Sequence, residues 1–204
     1  MKPRFLIAVC LMALFVLTLS LTVPAQDQTP PKPKNEKFGA LAYLPHGAGP
    51  AMVGAGARVN VDLYVNNYTS DADAKTLATA LREGGSPALL KQLEKAKSIG
   101  KVRLVGRAGF YDFKLIRSHQ IEGGRRIYAV GDRPMGFLEV YAGGRSMDYP
   151  FGIMQLDLKQ NGKGKEEGKG ALIYAAKIKV LDNNQIEVES YGVGAIELMA
   201  VRKL

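Results

Sequence analysis

Cysteine is almost absent from the chain. Cys10 is the only one in 204 residues, and it lies inside the apolar run from Phe5 to Leu19. A lipid-modified cysteine follows such a run, so this position argues against a lipoprotein. If the first 25 residues are removed, no thiol remains, and disulfides, thiolate nucleophiles and cysteine-ligated zinc are excluded together. Stability must then come from an ordinary hydrophobic core. Histidine is scarce too. With only His46 and His119, a three-histidine metal site is impossible, and a catalytic triad would have to use one of them. Acid is in deficit, with 19 Asp and Glu against 28 Lys and Arg, for a formal charge of +9. After the N-terminal run no further stretch is long and apolar enough to suggest a membrane span.

What is present starts with a cationic stub, Lys2 and Arg4, followed by the apolar run and by Val23-Pro24-Ala25 ahead of Gln26. This is the order of a secretory signal peptide cleaved after Ala25. Ser20, Thr22 and Pro24 break the run short of the roughly 20 residues that span a bilayer, and an uncleaved anchor is the competing reading. Cleavage removes Lys2 and Arg4 and no acid, so the formal charge falls from +9 to +7. Outside the cytoplasm such a charge favours anionic lipid headgroups or acidic glycans over nucleic acid. The competing explanation is that excess lysine serves solubility alone. An exported protein, periplasmic or secreted, is expected, with no cofactor and no metal site.

Residues 26–56 read as a linker. The first part, 26–37, combines three prolines with three lysines and has no apolar residue to anchor it. The second, 38–56, is rich in glycine and alanine and shows neither helix nor strand period. A single domain is expected over 57–204. It opens with a strand in which Val59, Val61, Leu63 and Val65 alternate with polar partners. A helical hairpin follows: Ser70 caps one helix, Leu77 and Leu81 give its face, and Gly84-Gly85 ends it. Ser86 caps the second helix, Pro87 opens it, and Leu89, Leu90, Leu93 and Ala96 are its apolar face.

From Ile99 onward the period is two. Strands fit at 99–105, 110–121, 126–131, 135–141, 151–158, 171–180, 186–191 and 195–202, with turns at the glycine clusters, at 161–170 and at 182–184. The cleanest alternation is Leu172, Tyr174, Ala176, Ile178 and Val180. Short links forbid parallel crossovers, and about nine strands in one domain cannot remain a flat exposed sheet. The fold class is therefore mainly β: an antiparallel sandwich or barrel of about nine strands with an inserted helical hairpin.

Most chemical motifs fail on inspection. Gly49 to Gly54 continues with Ala55-Gly56 where a phosphate loop needs Lys-Ser/Thr, and Gly54-Ala55-Gly56 leads into a strand instead of a helix. Gly162 to Gly170 lies between strands and reads as a solvated hairpin loop. Ser98-Ile99-Gly100-Lys101 has the Ser-x-x-Lys spacing, but Gly100 breaks the helix that would stack the two side chains. Asp71 and Asp73 begin like a calcium loop, yet Lys75 occupies the next ligand position. Asn67-Tyr68-Thr69 is a glycosylation acceptor of use only in a eukaryotic secretory pathway. With Gly123-Gly124 as a two-residue hairpin loop, Glu122 would pair with Arg125 and His119 would lie opposite Tyr128.

What survives is arginine. Seven of the eleven arginines fall between residues 101 and 145, against four acids. Arginines converging from neighbouring hairpins can hold an oxyanion bidentately. The candidate anion-binding residues are Arg125, Arg126, Arg133 and Arg145 with Tyr149; internal pairing on a solvent face is the competing explanation. The segments from Gly123 to Pro134 and from Arg145 to Gly152 resemble stretches in a group of uncharacterised bacterial exported proteins. The likeness runs from about Arg58 to the C-terminus, implies a bacterial source and brings no activity with it. The function expected from all this is a non-enzymatic binding or envelope-associated domain with a basic face for anionic ligands. The alternatives are a barrel-type carrier of a small apolar ligand, marked by a cavity with an aliphatic lining, and a hydrolase of an anionic glycan or ester.

Overall fold

The structure, a computed structural model, describes residues 35–43, 58–106, 108–135, 148–181, 185–191 and 195–204. The segment expected to be a signal peptide, the expected linker up to residue 34, residues 44–57, most of the strand expected at 135–141, Arg107, Arg145 and His46 lie outside the described residues.

Ten strands and one broken helix follow in the order β1 (Glu36–Tyr43), β2 (Arg58–Val65), α1 (Asp71–Lys95), β3 (Gly100–Leu104), β4 (Tyr111–Phe113), β5 (Leu115–Ile121), β6 (Gly124–Val130), β7 (Phe151–Gln160), β8 (Glu166–Val180), β9 (Ile186–Ser190) and β10 (Ile196–Lys203). Nine of them form an antiparallel path, β4-β3-β2-β1-β10-β8-β7-β6-β5, nearly closed into a barrel, and β9 pairs with the far end of β8. The gap between the path's two ends is narrowed by the segment after β2. There the Thr69 amide donates to the Ile116 carbonyl at 2.8 Å, and Thr69 Oγ1 accepts from the Ile116 amide at 3.0 Å. Thr69 of the glycosylation triplet is thus a buried part of the closure.

The linker expectation is corrected in its middle part: residues 36–43 form β1, a central strand between β2 and β10. Its fully buried apolar residues are Phe38 and Ala42; Gly39, Ala40 and Leu41 between them blur the alternation that would mark a strand. The hairpin at 121–124 turns one residue earlier than expected. Gly123 takes the positive φ of 73° that the turn requires, so Ile121 pairs with Gly124, Gln120 with Arg125 and His119 with Arg126. The expected loop 161–170 is likewise shorter. Asn161 Oδ1 accepts from the amides of Lys163 and Lys165 to make the turn, and β8 begins at Glu166. Gly168 and Gly170 are strand residues whose absent side chains let β7 close in: a Cβ would stand 1.9 Å from the Asp157 carbonyl oxygen and 2.3 Å from that of Gln155.

Two apolar clusters share the sheet. Inside the barrel, Phe38, Leu63, Phe113, Ile127, Leu156, Leu158 and Leu198 belong to one buried core. On the outer face, Leu77, Leu81, Leu89 and Leu93 of α1 cover Val130, Phe151, Ile153, Ala176 and Ile178, each leucine contributing about 2 kcal/mol. The helix starts as expected, with Ser70 Oγ accepting from the Asp73 amide at 3.1 Å, and breaks at Gly85 (φ 64°). Ser86 departs from its expected role. Its hydroxyl donates to the Ile178 carbonyl at 2.6 Å and accepts from the Ile178 amide at 3.1 Å. The last β7 pairing, Phe151 with Ala176, stops short of Ile178, so a serine side chain satisfies a strand edge that no described strand reaches.

Candidate functional site

Strand neighbours point to opposite faces, and this separates Arg125 from Arg126. Arg125 points inward at one mouth of the barrel. It makes paired bonds to Glu166 (2.6 and 2.7 Å) and reaches Glu36 at 2.9 Å and Tyr68 at 3.0 Å. Lys203 also pairs with Glu36, and Tyr68 donates to Glu36. Burial alone would raise the Glu36 carboxyl, but hydrogen bonds from Arg125, Lys203 and Tyr68 outweigh it and hold the pKa at about 2. Two carboxylates thus meet two cations, and the group closes on itself. Arg126 points outward and is held bidentately by Asp157 at 2.6 and 2.7 Å.

Arg133 stands beyond the other end of β6, roughly 20 Å along the strand. It is exposed, its guanidinium lies 5.8 Å from the Tyr111 ring centroid, and its carbonyl accepts from the Tyr111 hydroxyl. Tyr149 donates to Glu189, and its ring lies 5.2 Å from that of Tyr191. Arg145 is outside the described residues. The candidate anion-binding residues therefore do not meet at one place: Arg125 and Arg126 are engaged by carboxylates on opposite faces, and Arg133 and Tyr149 are a strand length away.

The concave site lies on the outer face instead. A pocket of about 560 Å³ opens between the first half of α1 and β5–β9. Cross-strand register explains its floor. Leu115, Val130, Ile153 and Ile173 make an apolar row across β5 to β8; Arg117, Tyr128, Gln155 and Ala171 make the next; His119, Arg126, Asp157 and Lys169 make the third. The floor therefore grades from aliphatic beneath the helix to polar and charged at the open margin. Ala74, Leu77, Ala78 and Leu81 form one wall. Ile186 and Val188 of β9 form the other, and remain 63% and 42% exposed. Among the described residues the polar side chains in the lining are His119, Tyr128 and Gln155, with no carboxylate.

Sequence reasoning missed this groove because it sought one apolar face per strand. The signal was there: Phe151, Ile153 and Met154 lie in one unbroken apolar stretch, as in strands covered on both faces. The alternation in β8 was also misleading. Three residues of β7, Phe151 to Ile153, oppose four of β8, Ile173 to Ala176, and this bulge puts Leu172 and Tyr174 inside but Ala176, Ile178 and Val180 outside.

Among the described residues no group of three His, Cys, Asp or Glu could hold a metal ion, and no helix is long and apolar enough to cross a membrane. Comparison of the chain with family models, with curated proteins and with solved structures gave no match.

Proposed function

We propose that the protein is an exported, non-enzymatic binding domain that takes a single-chain amphiphile in the groove between α1 and the outer face of β5–β9. The observation that carries this reading is the open apolar groove itself, with exposed Ile186 and Val188 in its wall. Its volume falls within the roughly 300–1,000 Å³ of small-molecule sites, and exposed apolar surface rimmed by polar groups marks a place something covers. The graded floor argues for the occupant's chemistry. An acyl chain fits beneath the helix over Leu115, Val130, Ile153 and Ile173, and its polar end meets His119, Tyr128 and Gln155 at the margin. Export rests on the basic stub, the apolar run and Val23-Pro24-Ala25. The earlier alternative of an apolar-ligand carrier is kept in altered form, since the groove lies on the outer face of the sheet, while the inward side chains form a buried core.

Displacement of a fluorescent fatty acid from delipidated protein tests the reading. Saturable binding is expected, weakened about tenfold or more by Ala78→Phe, which fills the groove from an exposed helix position. Absence of saturable binding across a series of chain lengths, or unchanged binding by Ala78→Phe, would overturn it.

A further inference from the structure

A second surface, on the part of the barrel wall built by β1–β3, carries a different chemistry. In this stretch Phe38, Leu63 and Val102 point into the core, so Lys37, Tyr64 and Lys101, paired across the three strands, point outward. Arg103 lies in the neighbouring row beside Asp62. Aromatic rings fill the space between the cations: Tyr64 and Phe110 meet edge to face with centroids 6.2 Å apart, and Lys101 Nζ lies 4.4 Å from the Phe110 centroid.

Two features make this more than a solvated face. First, its acid is consumed internally. Asp62 is buried and bridges Lys37 at 3.3 Å and Arg103 at 3.0 Å; Asp112, opposite Lys101, accepts from Ser98. Among the described residues no carboxylate pairs with Lys101, whose ammonium stands over a ring instead. Second, large apolar side chains are exposed beside the cations: Phe110 at 47%, Val105 at 42% at the end of β3, and Leu204 at 57%, its amide bonded to the Lys37 carbonyl. Apolar knobs set among cations are the pattern of proteins that rest on an anionic bilayer, where the knobs enter the headgroup region and the cations meet lipid phosphates. A soluble polyanion would use the cations and leave Val105 and Leu204 without a role.

We infer that the outer face of β1–β3 docks the protein onto an anionic lipid surface through Phe110, Lys37 and Lys101. This face and the amphiphile groove lie on opposite sides of the sheet path, and docking does not depend on the groove being a ligand site.

Co-sedimentation with vesicles tests the inference. Proteins sharing one N-terminus are compared on vesicles of phosphatidylcholine alone and of phosphatidylcholine mixed with phosphatidylglycerol, with dextran sulfate as a soluble polyanion. Binding to the mixed vesicles is expected to exceed that to the neutral ones severalfold and to weaken as salt rises. It should fall severalfold in Phe110→Ser and in Lys101→Glu, both at exposed or partly exposed positions whose variants are checked for unchanged thermal unfolding. Ala78→Phe should bind the mixed vesicles like the parent protein. Equal binding to both vesicle types, no effect of Phe110→Ser, or dextran sulfate binding that is lost in Lys101→Glu and retained in Phe110→Ser with no vesicle binding, would each overturn it.

Discussion

Inside the barrel and outside it, the same strands β6–β8 meet opposite fates. The inward side chains form a buried core, and at the mouth Glu36, Glu166, Arg125 and Lys203 satisfy one another. The outward side chains are covered only in part, because α1 reaches Val130, Ile153 and Ile178 and leaves about 560 Å³ unfilled beside them. The difference teaches that charge and concavity have separated in this molecule. The arginine that looks most like a ligand-binding group, Arg125, is bound to its own chain. The space for a ligand lies where the chain has placed little charge.

The sharpest way to break this comparison is to disturb the mouth. Arg125→Met leaves Glu36 and Glu166 short of their main partner, and should cost about 3–5 kcal/mol, read by urea unfolding. The groove substitution Ala78→Phe should by contrast leave the urea midpoint nearly unchanged. If Arg125→Met is neutral, the cluster is not what ties β1, β6, β8 and β10 together.

Acid should act on the mouth before the groove. The Glu36 carboxyl is held at about 2 against an ordinary 4.5. Its folded pKa is depressed, so its contribution is complete above about 4.5 and is lost as the pH falls towards 2. The loss should be on the order of 3 kcal/mol. Thermal unfolding followed across that window should show the fall in the parent protein and a shallower one in Glu36→Gln.

Two smaller effects sharpen the account of the strands. Ser86→Ala strips the Ile178 amide and carbonyl of their side-chain partner and should cost about 1–3 kcal/mol, with faster hydrogen exchange at Ile178. Ala200 is exposed and holds a positive φ of 48° beside the bulge in β10. Ala200→Gly should stabilise the protein by up to about 1 kcal/mol, measured by the urea midpoint.

The fold class was legible because period-two alternation and short turns survive in most strands. β2, for example, begins where the alternation begins. What was not legible came from particular residues that break the simple periods. Phe38 and Ala42 anchor β1, but Gly39, Ala40 and Leu41 between them break the alternation. The bulge at Tyr174 and Ala175 reverses the two faces of β8. Gly168 and Gly170 look like a loop yet serve the close approach of two strands. For the site, helix spacing gave Leu77 and Leu81 as the apolar face of one helix and Leu89, Leu90, Leu93 and Ala96 as that of the next; Leu77, Leu81, Leu89 and Leu93 are buried, and the first three of these line the groove. The floor of the groove needed the cross-strand register of Leu115, Val130, Ile153 and Ile173, set by a turn at Gly123 that starts one residue earlier than the Gly-Gly pair suggests. The exposed aromatic at Phe110 carried no signal at all, because a lone aromatic after a glycine has no period.

The separation of ligand space from the barrel interior is tested most directly by methyl spectroscopy of the protein titrated with a medium-chain fatty acid. The account predicts saturating shifts at the methyls of Leu77, Leu81, Leu115, Ile153 and Ile173, with those of Leu156, Leu158 and Leu198 unmoved. Shifts at the interior leucines, or none at the groove residues under saturating ligand, would contradict it.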